Sequence, residues 1–576
     1  MEHITFQALK KNLKKDFSAL KTIKVAVLGD SATQMYVQAI KGYGYELGIN
    51  FDVFEADYDQ VELQVYDGTS ELNEFKPDYV VIFYCTNKLL KKFGKQNLND
   101  KANFAGEQLD KFEKLYQTIT AKIKSKVIFF NFNEADDAVF GNYANKTSVS
   151  FVYQLRKINF ELMNLAQKHK NLFILDMNML QARYGNAYIT DNKIYINTDL
   201  LLSIDFLPVI AKSTIDIIQA ISGKFKKCLV LDLDNTTWGG IIGDDGLENI
   251  QIGDLGIGKA FSELQLWAKQ LKQRGIILAV CSKNDEAIAK EPFEKHPDMI
   301  LRLDDIAVFV ANWNNKADNI KYIQSILNIG FDAMVFLDDN PFERNMVRTN
   351  VQDITIPELP EDPSEYMDYL RTLNLFETAS FTNEDEHRTK QYQEEANRSV
   401  LQQQFTDETD FLKSLHMVAL VEPFNKFNTP RVAQLSQRSN QFNLRTVRYT
   451  EEDILNIAND ETYISLAFSL ADKYGDYGLI SLIIMKQTKA DTLFIDTWLM
   501  SCRVLKRNME NFVLNTMVTT GLQKGYTILE GEYIPTAKNN MVKDHYSNLG
   551  FNFDGNTWKL VLKEYVPREC YIETKK

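Results

Sequence analysis

Cysteine is sparse in this sequence: Cys85, Cys228, Cys281, Cys502 and Cys570 are scattered, with no CxxC pair. That points away from a disulfide framework or a zinc site and suits a reducing cytoplasm, the expected location. Long apolar runs are also missing. With no stretch of about 18 apolar residues, no membrane-spanning helix is expected. The first residues, MEHITFQALKKNLKKDF, lack the apolar centre of a signal peptide. A basic excess is absent too: the formal net charge is −13, so neither nucleic acid nor an anionic membrane is an expected partner. Histidine is scarce, and only His3 and His169 precede residue 220, which limits the chemistry available there.

What is present is ordinary globular composition, 45% hydrophobic and 25% charged, over 576 residues. That is too long for one core, so two to four domains are expected. In residues 1–224 the apolar runs Ile23–Leu28, Tyr79–Tyr84, Lys126–Phe130 and Leu172–Leu175 are separated by helix-period segments such as Leu109–Ile123 and Tyr153–His169. This alternation predicts a doubly wound parallel sheet. Residues 225–355 carry three more runs, Cys228–Leu233, Ile276–Val280 and Ala333–Leu337, continuous as in strands buried on both faces. Residues 356–411 read as a connector: Pro357, Pro360 and Pro363 break regular structure, and a charged helix is predicted over Asn383–Gln403. Residues 412–576 mix strand signals (Tyr463–Ser469, Gly478–Met485, Leu493–Met500, Tyr526–Glu530, Lys559–Glu564) with a helix over Met509–Lys524, an α/β or α+β pattern.

Each run of the second part ends in polar residues: Asp232 and Asp234, Ser282, then Asp338 and Asp339. Ligands bind at the carboxyl ends of strands in open parallel sheets, so these clusters should converge. Asp232 and Asp234, two apart on a strand, face one side. Paired carboxylates bind a hard cation through oxygen, and they divide acid and base roles because each disfavours ionisation of the other. A lone Asp-x-Asp is equally well a strand end meeting solvent. Here Ser282 and Lys316, in NNKA at an expected helix start, come with it in order.

That order, Asp-x-Asp-x-Thr, Ser, Lys and Asp-Asp, resembles the haloacid dehalogenase (HAD) phosphatase superfamily. LDLDNTTWGGIIGDDG, CSKND, NWNNKADNI and FLDDNPFER resemble its FkbH-like subgroup, and RSNQFNLRTVRYT and WLMSCRVL carry the resemblance into the last third. Thr237 departs from the apolar residue expected before Trp238, a change expected to leave the chemistry alone. The resemblance implies Asp232 as nucleophile and Asp234 as general acid and then base. It implies Mg2+ held by Asp232, the Asp234 carbonyl and Asp338, with Asp339 nearby, and a phosphate group met by Ser282 and Lys316. It further implies a phosphorylated small molecule, 1,3-bisphosphoglycerate, whose glyceryl group is loaded onto an acyl carrier protein. Loading needs a thiol; Cys281 and Cys502 are the candidates, with a plain core role as the competing reading. The intervals after Asp234 and after Ser282 leave no room for a large cap domain.

Gly29-Asp30-Ser31 after an apolar strand resembles the opening of an SGNH hydrolase, with Ser31 in the nucleophile position. That chemistry needs a histidine base, and neither His3 nor His169 has the Asp-x-x-His context, so an SGNH-like fold without its activity is expected. The last third resembles the GCN5-related acetyltransferase (GNAT) fold. Arg503 opens the turn in which that family places glycines to cradle the coenzyme A pyrophosphate, but Lys506 and Asn508 stand where glycines are expected. Tyr546 falls at the general-acid position, and a buried structural tyrosine is the competing reading. The expected architecture is an SGNH-like three-layer α/β domain, a HAD Rossmann-like parallel sheet without a large cap, and a GNAT-like α+β domain. Two alternatives to the phosphatase follow: an acyltransferase centred on the last domain, and a carrier-binding scaffold.

Overall fold

The computed structural model describes residues 4–382, 388–394, 405, 407–501, 504–505 and 507–575. The charged helix expected over Asn383–Gln403 lies largely outside them, apart from helical residues 388–394. The chain divides into two compact units, residues 2–219 and 220–576.

The first unit is built on five parallel strands, β1 (Lys21–Gly29), β2 (Ile49–Glu55), β3 (Tyr79–Phe83), β4 (Lys126–Phe130) and β5 (Leu172–Leu175), in the order β2-β1-β3-β4-β5. β3 is buried throughout, as its unbroken apolar run requires. β2, an edge strand, alternates Ile49, Phe51 and Val53 with Asn50 and Asp52, a period-2 signal that a search for continuous apolar runs passes over. The helix Phe151–Lys168 starts at Ser150, whose Oγ accepts from the Tyr153 amide at 3.1 Å.

The second unit holds two sheets. The first is parallel: β6 (Cys228–Leu231), β7 (Ile277–Ser282), β8 (Ile306–Ala311) and β9 (Met334–Leu337), in the order β8-β7-β6-β9. Alternation along the strands makes two cores. Leu229, Leu231, Val280 and Leu337 pack with Phe261, Leu264 and Phe293 of helices Gly258–Gln273 and Glu286–Lys295. Cys228, Val230, Cys281 and Phe336 pack with Ile320 and Ile323 of helix Lys316–Leu327. Each such side chain contributes roughly 1.5–3 kcal/mol on burial, which holds the strand ends in fixed register. Chain order reverses beside β6, so its carboxyl end is the switch point at which a ligand crevice forms. Only a short segment with a single turn of helix, Ile242–Asp245, separates β6 from the helix at Gly258, so the sheet has no large cap, as expected.

The other sheet contains β10 (Met417–Glu422), β11 (Tyr463–Asp472), β12 (Gly475–Lys489), β13 (Thr492–Met500), β14 (Ile528–Gly531), β15 (Asn552–Phe553), β16 (Trp558–Val561) and β17 (Ile572–Thr574). Its order is β15-β16-β14-β13-β12-β11-β10-β17. β11, β12 and β13 are antiparallel; helix Met509–Gln523 then returns the chain to a parallel β14. This is the expected α+β arrangement. No helix among the described residues is long and apolar enough to cross a membrane.

Candidate active site

Asp232 follows β6, and its amide still donates to the Leu337 carbonyl at 3.0 Å, so the sheet ladder itself positions it. Its carboxylate, with those of Asp338 and Asp339, forms a group whose oxygens lie within 4.8 Å of one another. Lys316, 3% exposed, enters from the start of its helix, where Asn315 provides the cap. Its Nζ lies 2.9 Å from Asp232 Oδ2 and donates to Asp338 Oδ2 at 2.6 Å. Burial works against the lysine's charge, but the two carboxylates outweigh it and raise its pKa. Asp338 is pushed up to about 7 by burial and by the nearby Asp232. Three carboxylates sharing one lysine are short of positive charge, and oxygen ligands at this spacing suit a hard divalent cation. The residues therefore fit Mg2+.

Asp234 is held differently. Its Oδ1 accepts from Trp238 Nε1 at 3.0 Å and from the Ile242 amide at 3.1 Å, and its Oδ2 accepts from Asn284 Nδ2 at 3.1 Å. Burial, with a smaller contribution from Asp232, raises its pKa. One carboxylate is thus grouped with other acids and a lysine, and the other is set in neutral donors. Ser282 ends β7 and is 2% exposed.

Several supporting residues escaped the sequence reading of roles, although the quoted motifs contain them. Thr236 Oγ1 accepts from the Asp339 amide at 3.0 Å. Arg344 Nη1 donates to the Asp338 and Asp339 carbonyls at 2.8 and 2.6 Å, fixing the turn that carries both acids. Lys283 pairs with Glu343 at 2.6 Å. Thr237, expected to be neutral to the chemistry, donates its hydroxyl to the Asp232 carbonyl at 2.6 Å. An apolar residue there would leave that carbonyl without this bond.

Cys281 alternates away from Ser282 into the core with Val230 and Val310; burial raises its pKa, and its Sγ faces the Lys316 carbonyl at 3.7 Å. Cys502 and Arg503 lie outside the described residues. Tyr546 is 1% exposed, among Trp498, Phe551 and Trp558. Beyond the β13–β14 pairing, the chain's own segment fills the gap between the strands: Met500 donates to the Phe442 carbonyl at 3.1 Å, Leu444 to that of Trp498 at 3.2 Å, and Ile534 to that of Leu444 at 2.9 Å. In the first unit, Ser31 is 2% exposed and its Oγ has no partner among the described residues. His169 is occupied elsewhere, with Nε2 3.0 Å from Glu113 and its ring against Tyr116.

A family model described as FkbH, N-terminal domain, matches residues 24–219. The crystal structure of the N-terminal part of protein BF1531 from Bacteroides fragilis, containing a phosphatase domain complexed with Mg, is 56% identical; the match covers 66% of this chain and 100% of that one, with a TM-score of 0.64. The Escherichia coli ribosomal-protein-S18-alanine N-acetyltransferase is 16% identical over 25% of this chain and 90% of its own, with a TM-score of 0.19. No curated protein matches the sequence.

Proposed function

This chain belongs to the FkbH-like family, and we propose that its residues 228–345 form a magnesium-dependent phosphatase site that works through an aspartyl-phosphate on Asp232. One observation carries the reading. Asp232 Oδ2 is held by Lys316, while the buried Oδ1 has no hydrogen-bond partner among the described residues. A buried carboxylate oxygen without a donor is destabilising, and a metal ion or an incoming phosphoryl group would supply the missing partner.

Asp232, Asp338 and Asp339, with the Asp234 carbonyl, would hold the magnesium, which when bound offsets repulsion between the anionic nucleophile and the phosphate ester. The carboxylate oxygen of Asp232 attacks phosphorus as the bond to the ester oxygen breaks. Asp234, whose raised pKa favours its protonated form, delivers a proton to the departing oxygen. Water then attacks the aspartyl-phosphate, Asp234 takes a proton from it, and phosphate leaves with Asp232 restored. Lys316 and Ser282 supply fixed positive charge and a hydroxyl donor to the phosphoryl oxygens.

Phosphate release from small phosphate esters tests this directly. Wild type with magnesium should turn over, chelation should abolish turnover, and Asp232→Asn should lose roughly a thousandfold or more. Equal rates for the two proteins would sink the reading. The narrower reading takes a glyceryl phosphate such as 1,3-bisphosphoglycerate as substrate and an acyl carrier protein as glyceryl acceptor. The lack of a large cap supports it, because an open site suits a bulky or delivered group. Incubation with 1,3-bisphosphoglycerate and carrier protein, followed by intact mass, should give a hydroxylamine-sensitive glyceryl adduct on the carrier; phosphate release without any adduct leaves a plain phosphatase.

A further inference from the structure

Asn284 lies just beyond Ser282, in the turn between β7 and helix Glu286–Lys295. It is 5% exposed, and both ends of its side chain are engaged. Oδ1 accepts from the Asp285 amide at 3.0 Å, while Nδ2 donates to Asp234 Oδ2 at 3.1 Å. The first bond fixes the direction of the amide. Turned over, Nδ2 would oppose an N–H and Oδ1 would oppose a carboxylate. An aspartate would serve the turn equally well, but it would set another negative charge against Asp234. A primary amide accepts at one end and donates at the other.

The other side of Asp234 is held by rigid donors. Oδ1 accepts from Trp238 Nε1 and from the Ile242 amide. The Trp238 ring is fully buried against Phe293, on the same helix that Asp285 caps. A carboxylate offers about four acceptor positions, divided between its oxygens. Two donors on Oδ1 and one on Oδ2 leave a single open position, on Oδ2, among the described residues. A proton on Asp234 therefore belongs on Oδ2, and Asn284 sets the direction in which it points.

We infer that Asn284 is a positioning residue for proton transfer, and that it makes Asp234 Oδ2 the transferring oxygen in both chemical steps. The inference rests on the aspartyl-phosphate reading. In the first step Oδ2–H gives its proton to the ester oxygen, as the bond from phosphorus to that oxygen breaks and the bond to Asp232 forms. In the second step water attacks phosphorus and gives a proton to Oδ2, as the bond to Asp232 breaks. Asn284 donates to the other lone pair of Oδ2 throughout, so the oxygen keeps one orientation with or without the proton.

Leaving-group dependence tests the assignment. kcat/KM reports the steps up to release of the leaving group, so it isolates the first proton transfer. The p-nitrophenolate ion departs without a proton, whereas the alkoxide of glycerol phosphate needs one. The variants are Asn284→Ala and Asn284→Leu, the second keeping most of the side-chain volume without the donor. Each should lower kcat/KM for glycerol phosphate roughly tenfold or more beyond its effect on p-nitrophenyl phosphate. Poor folding of a variant lowers both rates alike and leaves their ratio unmoved. In an Asp234→Asn background no acid remains to be placed, so Asn284→Ala should change both substrates equally. Equal losses for the two esters with Asp234 in place would overturn the assignment and leave the phosphatase reading standing. A wild type with no magnesium-dependent turnover of either ester would remove the reading itself, and the assignment with it.

Discussion

At the scale of single residues, the site turns on one cation. Lys316, itself 3% exposed, bridges Asp232 and Asp338 at 2.9 and 2.6 Å, where its charge is little screened by solvent. Lys316→Met should reduce kcat toward phosphate esters about a hundredfold or more, with a smaller change in KM. Lys316→Arg should not restore the rate, because a planar guanidinium cannot occupy the place of a compact ammonium. Steady-state kinetics on the two variants checks both statements. These residues were legible in the sequence because each sits at a strand or helix end in a recognisable order. Thr237 was not. Its hydroxyl serves the Asp232 carbonyl, a backbone contact made by the turn after β6 that side-chain chemistry does not announce.

At the scale of elements, apolar runs gave β1, β3, β4 and β5 of the first parallel sheet and β6, β7 and β9 of the second, since strands buried on two faces need no polar alternation; β8, equally apolar, was not named. β2 is an edge strand whose Asn50 and Asp52 alternate with Ile49, Phe51 and Val53, a half-buried pattern that continuous apolar runs do not pick out. Tyr546 was read between two roles; its position beneath β14 explains the packing. A Cβ on Gly531 would stand 2.4 Å from the Tyr546 hydroxyl and 2.5 Å from its ring, so only glycine admits the aromatic there. Gly531→Ala should destabilise the fold by about 1–3 kcal/mol, measured as a lower denaturant midpoint. Beside it, His545 contacts Trp498 and Phe442, and burial lowers its pKa to about 3. The unfolded chain protonates this histidine near its ordinary value and the folded chain resists. Stability is therefore full above about pH 6.5 and is lost as pH falls toward 3, by up to about 1.4 kcal/mol per pH unit. His545→Phe should flatten that slope in urea titrations between pH 7 and 5; an unchanged slope would place the acid sensitivity elsewhere.

For the molecule as a whole, residues 220–576 form one compact unit although they carry two sheets of different design. The contacts explain why. Lys227 Nζ donates to the Arg438 carbonyl at 2.5 Å, Lys538 pairs with Asp332, and Gln393 Nε2 donates to the Ile306 carbonyl at 2.8 Å. At Gly223 (φ +77°) an added Cβ would lie 1.9 Å from the Gln437 carbonyl oxygen. Gly223→Ala should therefore loosen the two sheets, and calorimetry should show a broadened or split transition where wild type unfolds residues 220–576 together. Two of these contacts fall on Gln437 and Arg438, at the start of the stretch RSNQFNLRTVRYT (residues 438–450) that the sequence marked without a role. Arg448 donates to the Ser439 carbonyl at 2.7 Å and to that of Ser436, closing the end of helix Thr429–Arg438. A tertiary tie of this kind has no period or spacing by which to be read beforehand.

The claim that Asp232 carries the phosphoryl group can be met most directly by trapping. Asp234→Asn keeps the nucleophile but removes the base for the second step, so a phosphate ester with a good leaving group should charge the enzyme and leave it charged. Rapid quench, intact mass and peptide mapping should then find one phosphoryl group on Asp232, dependent on magnesium. A phosphoryl group mapped to any other residue, or phosphate release with no covalent intermediate at any time, would contradict the account.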